Sequence, residues 1–113
     1  MIQLNVITPT LLTRLFTPDF IKRGGGKILQ VSSGSALLPT PYVSNYAATK
    51  SFIRYLNEAL RFELQHQPIT ISTLYPGYTK SEFGEIAHAK VPWFIQYTQT
   101  TSRSVAEAGI KGM

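Results

Sequence analysis

A chain of 113 residues with 43% hydrophobic and 15% charged side chains has the composition of one small globular domain. With no cysteine and only His66 and His88, neither a disulfide framework nor a thiolate or imidazole metal site is expected. The net charge of +5 raises an anionic partner, but Lys22, Arg23 and Lys27 flank a glycine turn and the other basic residues are scattered without interleaved aromatics, so nucleic acid is not expected.

The first segment, Met1 to about Arg23, reads as a helix, because Leu4, Ile7, Leu11, Leu12, Leu15, Phe16 and Phe20 keep a 3-and-4 spacing. Pro9 and Pro18 lie within it and predict bends, since an interior proline removes a helix hydrogen bond. Asn5 is an amide in an apolar stretch and needs a partner. Gly24, Gly25 and Gly26 end the helix as a left-handed cap and turn would. Ile28 to Val31 then reads as a short buried strand, and Ile69 to Leu74 as a second.

Between the strands, Pro39 and Pro41 stiffen a loop, and Ser44 or Asn45 is placed to cap a long helix that runs to about Gln65. Strand, helix and strand form a βαβ unit with parallel pairing and a right-handed crossover. Ligands gather beyond the carboxyl ends of such strands. Ser33 lies at the first end and Pro76-Gly77 just past the second, so both face one crevice. Within the long helix, Phe52, Leu56, Leu60 and Leu64 form one row, and Ile53, Tyr55, Ala59 and Phe62 widen the apolar face beyond what one sheet contact requires. No apolar run reaches the ~18 residues of a spanning helix, and the N-terminus carries no secretion leader, so a soluble cytoplasmic chain without a membrane partner is expected.

Tyr46 and Lys50 are four residues apart, about one helical turn, and share a face. A phenol is a weak acid, and an ammonium within ~4–6 Å favours its anion. Together with the hydroxyl of Ser33 at a strand end, the pair has the parts for exchanging a proton with an alcohol or a carbonyl. That chemistry needs a redox partner.

Tyr46-x-x-x-Lys50 with Ser33 thirteen residues before the tyrosine, together with LNV near the start, GGGKILQVSSGSA, YAATKSF, LRFEL and PGYTKSEF, resembles the short-chain dehydrogenase/reductase family. The resemblance covers nearly the whole chain and is to the second, catalytic half of such an enzyme. It implies a partial Rossmann-like, doubly wound α/β fold of parallel strands with long flanking helices, a single partial domain over residues 1–113. It also implies an NAD(P)-dependent oxidoreductase that moves a hydride between nicotinamide and a small-molecule carbonyl or alcohol. In those roles Tyr46 is the general acid or base, Ser33 bonds the substrate oxygen, and Lys50 stabilises the phenolate and holds the nicotinamide ribose. Asn5 holds a water in the relay to Lys50.

The cofactor-binding set implied by the resemblance is Tyr46, Lys50, Pro76, Gly77, Thr79 and Ser81, with Ser81 standing where threonine is more usual. NADP is expected over NAD, although the residues that choose would lie upstream. Residues 78–102 correspond to the family's substrate loop, in which Phe83, Trp93, Phe94 and Tyr97 either line an apolar pocket or pack on the fold. GSALLPTP resembles steroid and long-chain acyl reductases, and the PG with TKSEF resembles soluble bacterial-type reductases of broad carbonyl range, the preferred reading. The helices around 1–23 and 45–65 imply a homo-oligomer through a four-helix interface.

The family's glycine-rich nucleotide turn follows a first strand, whereas Gly24 to Gly26 precede one, so the N-terminal nucleotide-binding half is expected to be absent. The alternative function is accordingly a truncated, inactive fragment that acts only through association with a full-length relative.

Overall fold

The structure is a computed structural model that describes residues 1–80 and 100–113. The first helix begins as a π turn over Gln3–Ile7 and continues as α1, Thr8–Lys22. The wide turn sits where Pro9 enters the helix without an N–H to give. Two carbonyls of the turn accept hydroxyls as well: Thr8 Oγ1 donates to the Gln3 carbonyl at 2.9 Å, which also accepts the Thr8 N–H, and Thr10 Oγ1 donates to the Val6 carbonyl at 2.7 Å. The bend expected from the first proline is therefore a π turn.

At its other end α1 closes in a Schellman arrangement. Gly25 N–H donates to the Phe20 carbonyl and Gly24 N–H to the Ile21 carbonyl, with Gly24 at φ 80°, where a side chain would be strained. Strand β1, Gly26–Val31, starts two residues earlier than its apolar run suggests. It pairs in parallel with β2, Ile69–Leu74, in the register Gly26 to Ile69 through Val31 to Leu74. The connecting helix α2 spans Ser44–Glu63.

Side-chain bonds fix the layers. Gln30 Nε2 on β1 donates to Thr13 Oγ1 of α1 at 2.9 Å, and Asn57 Nδ2 of α2 donates to Thr73 Oγ1 on β2 at 2.9 Å. Gln30 and Thr73 are register partners, so both helices cover the same face of the sheet. On the opposite face, Leu29 and Leu74 meet Gly109 of the last helix, α3, Ser102–Lys111. A short parallel pair, β3 (Thr79–Lys80) with β4 (Thr100–Thr101), leads into α3, whose first turn is capped by Thr101 Oγ1 accepting from Ser104 N–H.

The expected cap of α2 is not the one observed. Ser44 is already helical and Val43 occupies the cap position at φ −128°, ψ 33°, with no side-chain bond. A side-chain cap needs its oxygen on the residue before the first helical one, and valine carries none. Among the described residues, the apolar face of the first helix keeps large exposed side chains: Leu4 is 71% and Leu15 65% exposed. Among the described residues no helix is long and apolar enough to cross a membrane.

Candidate active site

The site forms where the two parallel strands end together. Past the last register pair, Ser32 N–H donates to the Leu74 carbonyl at 2.8 Å and Gly34 N–H to the Pro76 carbonyl at 2.9 Å. These bonds hold the two strand exits side by side. Ser33 stands between them in extended backbone, φ −164° and ψ 156°, and its Oγ accepts from Ser35 N–H at 3.2 Å to start the short 3-10 turn Gly34–Ala36. That bond uses a lone pair and leaves the hydroxyl proton for an outside acceptor.

Helix α2 returns against this turn, with Ser51 Oγ donating to the Ala36 carbonyl at 3.2 Å. Its first turns carry Tyr46 and Lys50. The ammonium of Lys50 lies 5.8 Å from the centroid of the Tyr46 ring and donates to the Val31 carbonyl at 2.9 Å. Partial burial pulls Lys50 below the usual lysine range, because removing water penalises the charged form. One of its three protons is committed to Val31.

The structure places Asn5 near this pair but not on it. Asn5 Nδ2 donates to Thr49 Oγ1 at 3.1 Å, and Thr49 Oγ1 donates to the Tyr46 carbonyl at 2.8 Å. Asn5 thus reaches the residue beside Lys50. Thr49 and Ser32 were not singled out by sequence, although both are buried here. Their only signal was adjacency to Lys50 and Ser33.

Pro76, Gly77 and Thr79 follow β2 on the same side, with the Thr79 hydroxyl donating to the Gly77 carbonyl at 3.1 Å. A Cβ at Gly77 would meet nothing within 4 Å among the described residues. A strand-end crevice with a lysine and two hydroxyls fits the nicotinamide and ribose end of a dinucleotide. Ser81, together with Phe83, Trp93, Phe94 and Tyr97 of the expected substrate loop, lies outside the described residues. Among the described residues no cluster of three or more metal-ligating side chains occurs.

Several known proteins share this arrangement of sequence and fold. A human very-long-chain 3-oxoacyl-CoA reductase is 30% identical over 86 residues, which is 76% of this chain and 28% of that protein. Human dehydrogenase/reductase SDR family member 4 is 35% identical over 85 residues, 75% of this chain and 31% of that protein. The chain thus spans less than a third of the length of these relatives. The solved structure of a short-chain dehydrogenase from Sphingobium yanoikuyae in complex with NADPH superposes with a TM-score of 0.86 at 26% identity, over 98% of this chain and 42% of that one. Residues 1–91 match the short chain dehydrogenase family, and the chain belongs to that family.

Proposed function

We propose that this chain carries the proton-handling and nicotinamide-facing half of an NAD(P)-dependent alcohol or carbonyl oxidoreductase. The observation that carries the reading is the Lys50 ammonium, held on the Val31 carbonyl at 2.9 Å and 5.8 Å from the Tyr46 ring at the mouth of the two strands. In carbonyl reduction Tyr46 gives its phenolic proton to the substrate oxygen, and in alcohol oxidation it takes one. Ser33 donates its hydroxyl proton to the same oxygen. Lys50 stabilises the phenolate and has two protons left for ribose hydroxyls.

A nicotinamide coenzyme, when bound, supplies or accepts the hydride. Lys50, the Pro76-Gly77 backbone and the Thr79 hydroxyl would hold its nicotinamide end. The lone pairs of Thr79 Oγ1 suit a carboxamide N–H, since its proton is given to Gly77. Asn5 acts through Thr49 on the turn that bears Lys50. NADP is proposed over NAD, supported by the NADPH in the Sphingobium neighbour. The similarity to a very-long-chain 3-oxoacyl-CoA reductase and the apolar residues Leu37 and Leu38 ahead of Tyr46 support an apolar carbonyl substrate.

Tyr46→Phe tests the assignment. It keeps the ring beside Lys50 and removes only the acid, so carbonyl reduction by any active form of the protein should stop. Turnover retained within tenfold would sink it.

A second reading is favoured by the uncovered apolar face of the first helix, Leu4 and Leu15 above all. There the chain acts by association, through that helix and α2, with a second copy or a full-length relative. The two readings part on coenzyme binding, which the second does not require.

A further inference from the structure

Ser32 and Thr49, 2% and 5% exposed, stand beside Ser33 and Lys50 and are bonded to groups far away in sequence. A buried hydroxyl is costly unless its bonds are made. Ser32 Oγ donates to the Lys50 carbonyl at 2.7 Å, while its own N–H donates to the Leu74 carbonyl at 2.8 Å. One residue therefore ties the Lys50 turn of α2 to both strands. Thr49 Oγ1 donates to the Tyr46 carbonyl at 2.8 Å and accepts from Asn5 Nδ2 at 3.1 Å, which ties the same turn to the π turn.

The consequence for Lys50 is that it is held at two points. Ser32 grips its carbonyl, and the Val31 carbonyl, next to Ser32 in the chain, receives its ammonium at 2.9 Å. A lysine stem has four rotatable carbons and much rotamer freedom to lose. Fixing the main chain and the head against one strand end selects the rotamers that keep the ammonium 5.8 Å from the Tyr46 ring centroid. Among the described residues, Tyr46 is the titratable side chain recorded against it.

We propose that Ser32 and Thr49 are positioning residues that clamp the Tyr46–Lys50 turn to the carboxyl end of β1 and to Asn5, and so set where the Lys50 ammonium stands. The catalytic purpose of the clamp rests on the function proposed above; its geometry does not.

Lysine 13Cε NMR titration of the 113-residue chain reads the clamp without turnover, with the Lys50 resonance assigned by its loss in Lys50→Arg. Ser32→Ala frees the turn and lets the ammonium exchange the Val31 carbonyl for water, so Lys50 titrates at higher pH than in the wild type. Thr49→Val keeps the shape and removes the hydroxyl; it moves Lys50 in the same sense and shifts the Asn5 side-chain amide resonances. Thr49→Ser restores both.

An unchanged Lys50 titration in folded Ser32→Ala and Thr49→Val overturns the proposal. If Ser32→Ala does not fold, the wild type decides: a Ser32 hydroxyl proton protected from exchange supports the bond to Lys50, and one exchanging as freely as in an unfolded chain overturns it. These shifts support the clamp even where Tyr46→Phe keeps its turnover, a result that removes the proposed function alone.

Discussion

Gly26 opens β1 directly beneath the Phe20 side chain, and a Cβ there would run into the ring and its Cβ. Gly26→Ala therefore sets two effects against each other. Alanine removes the extra freedom of the unfolded chain and favours the fold by about 0.4–1 kcal/mol. The clash forces Phe20 out of its rotamer or the strand away from α1, at a cost of about 1–3 kcal/mol. Clash wins, because the colliding atoms include the ring's Cβ and Cγ, which cannot swing aside as a flexible tip could. Net destabilisation should be about 1–2 kcal/mol.

The sign reverses once the ring is gone. In a Phe20→Ala background the same glycine substitution should be neutral or stabilising by up to about 1 kcal/mol. Urea unfolding followed by far-UV circular dichroism gives all four corners of the cycle. With a slope of about 1–1.5 kcal/mol/M, the first substitution should move the midpoint down by about 1 M. An equal loss in both backgrounds would mean that the penalty comes from the backbone and not from the Phe20 contact.

Lys50 predicts a pH dependence of stability. Its folded value lies below the usual 10.5, so the unfolded chain binds more protons between the two values, and stability rises with pH across that window. Lys50→Met should lose this alkaline rise in urea titrations; a rise of the same size would mean that another group carries it. Oligomeric state is read by sedimentation velocity at micromolar concentration. A dimer is expected, and Leu4→Asp with Leu15→Asp should shift it to monomer. A wild-type monomer would count against association with a second copy.

The placement of Tyr46, Lys50 and Ser33 was legible because it depends on spacing along regular elements: one helical turn for the pair, and a strand end for the serine. The parallel βαβ frame was legible for the same reason, since the apolar runs of β1 and β2 bracket one long amphipathic helix. What escaped depends on contacts between elements. Pro9 announced a bend but not that the helix would open as a π turn over Gln3–Ile7.

Gly26 read as a turn residue, yet it is a strand residue overlain by Phe20. Ser32, Thr49 and Asn57 gave no sign of burial, because serine, threonine and asparagine are usually exposed and only their tertiary partners reveal them. Asn57 is fully buried, with Nδ2 on Thr73 and no described partner for Oδ1. Its place among Ile53, Leu56 and Leu60 had no polar periodicity to mark it.

Whether the crevice around Lys50 accepts a nicotinamide coenzyme decides the proposed function. Titration of the 113-residue chain with NADPH, followed through nicotinamide fluorescence, addresses this without any assumption about substrate. Saturable binding, lost in Lys50→Ala, is the predicted result. Absence of binding by a folded chain, or undiminished binding in Lys50→Ala, would contradict it.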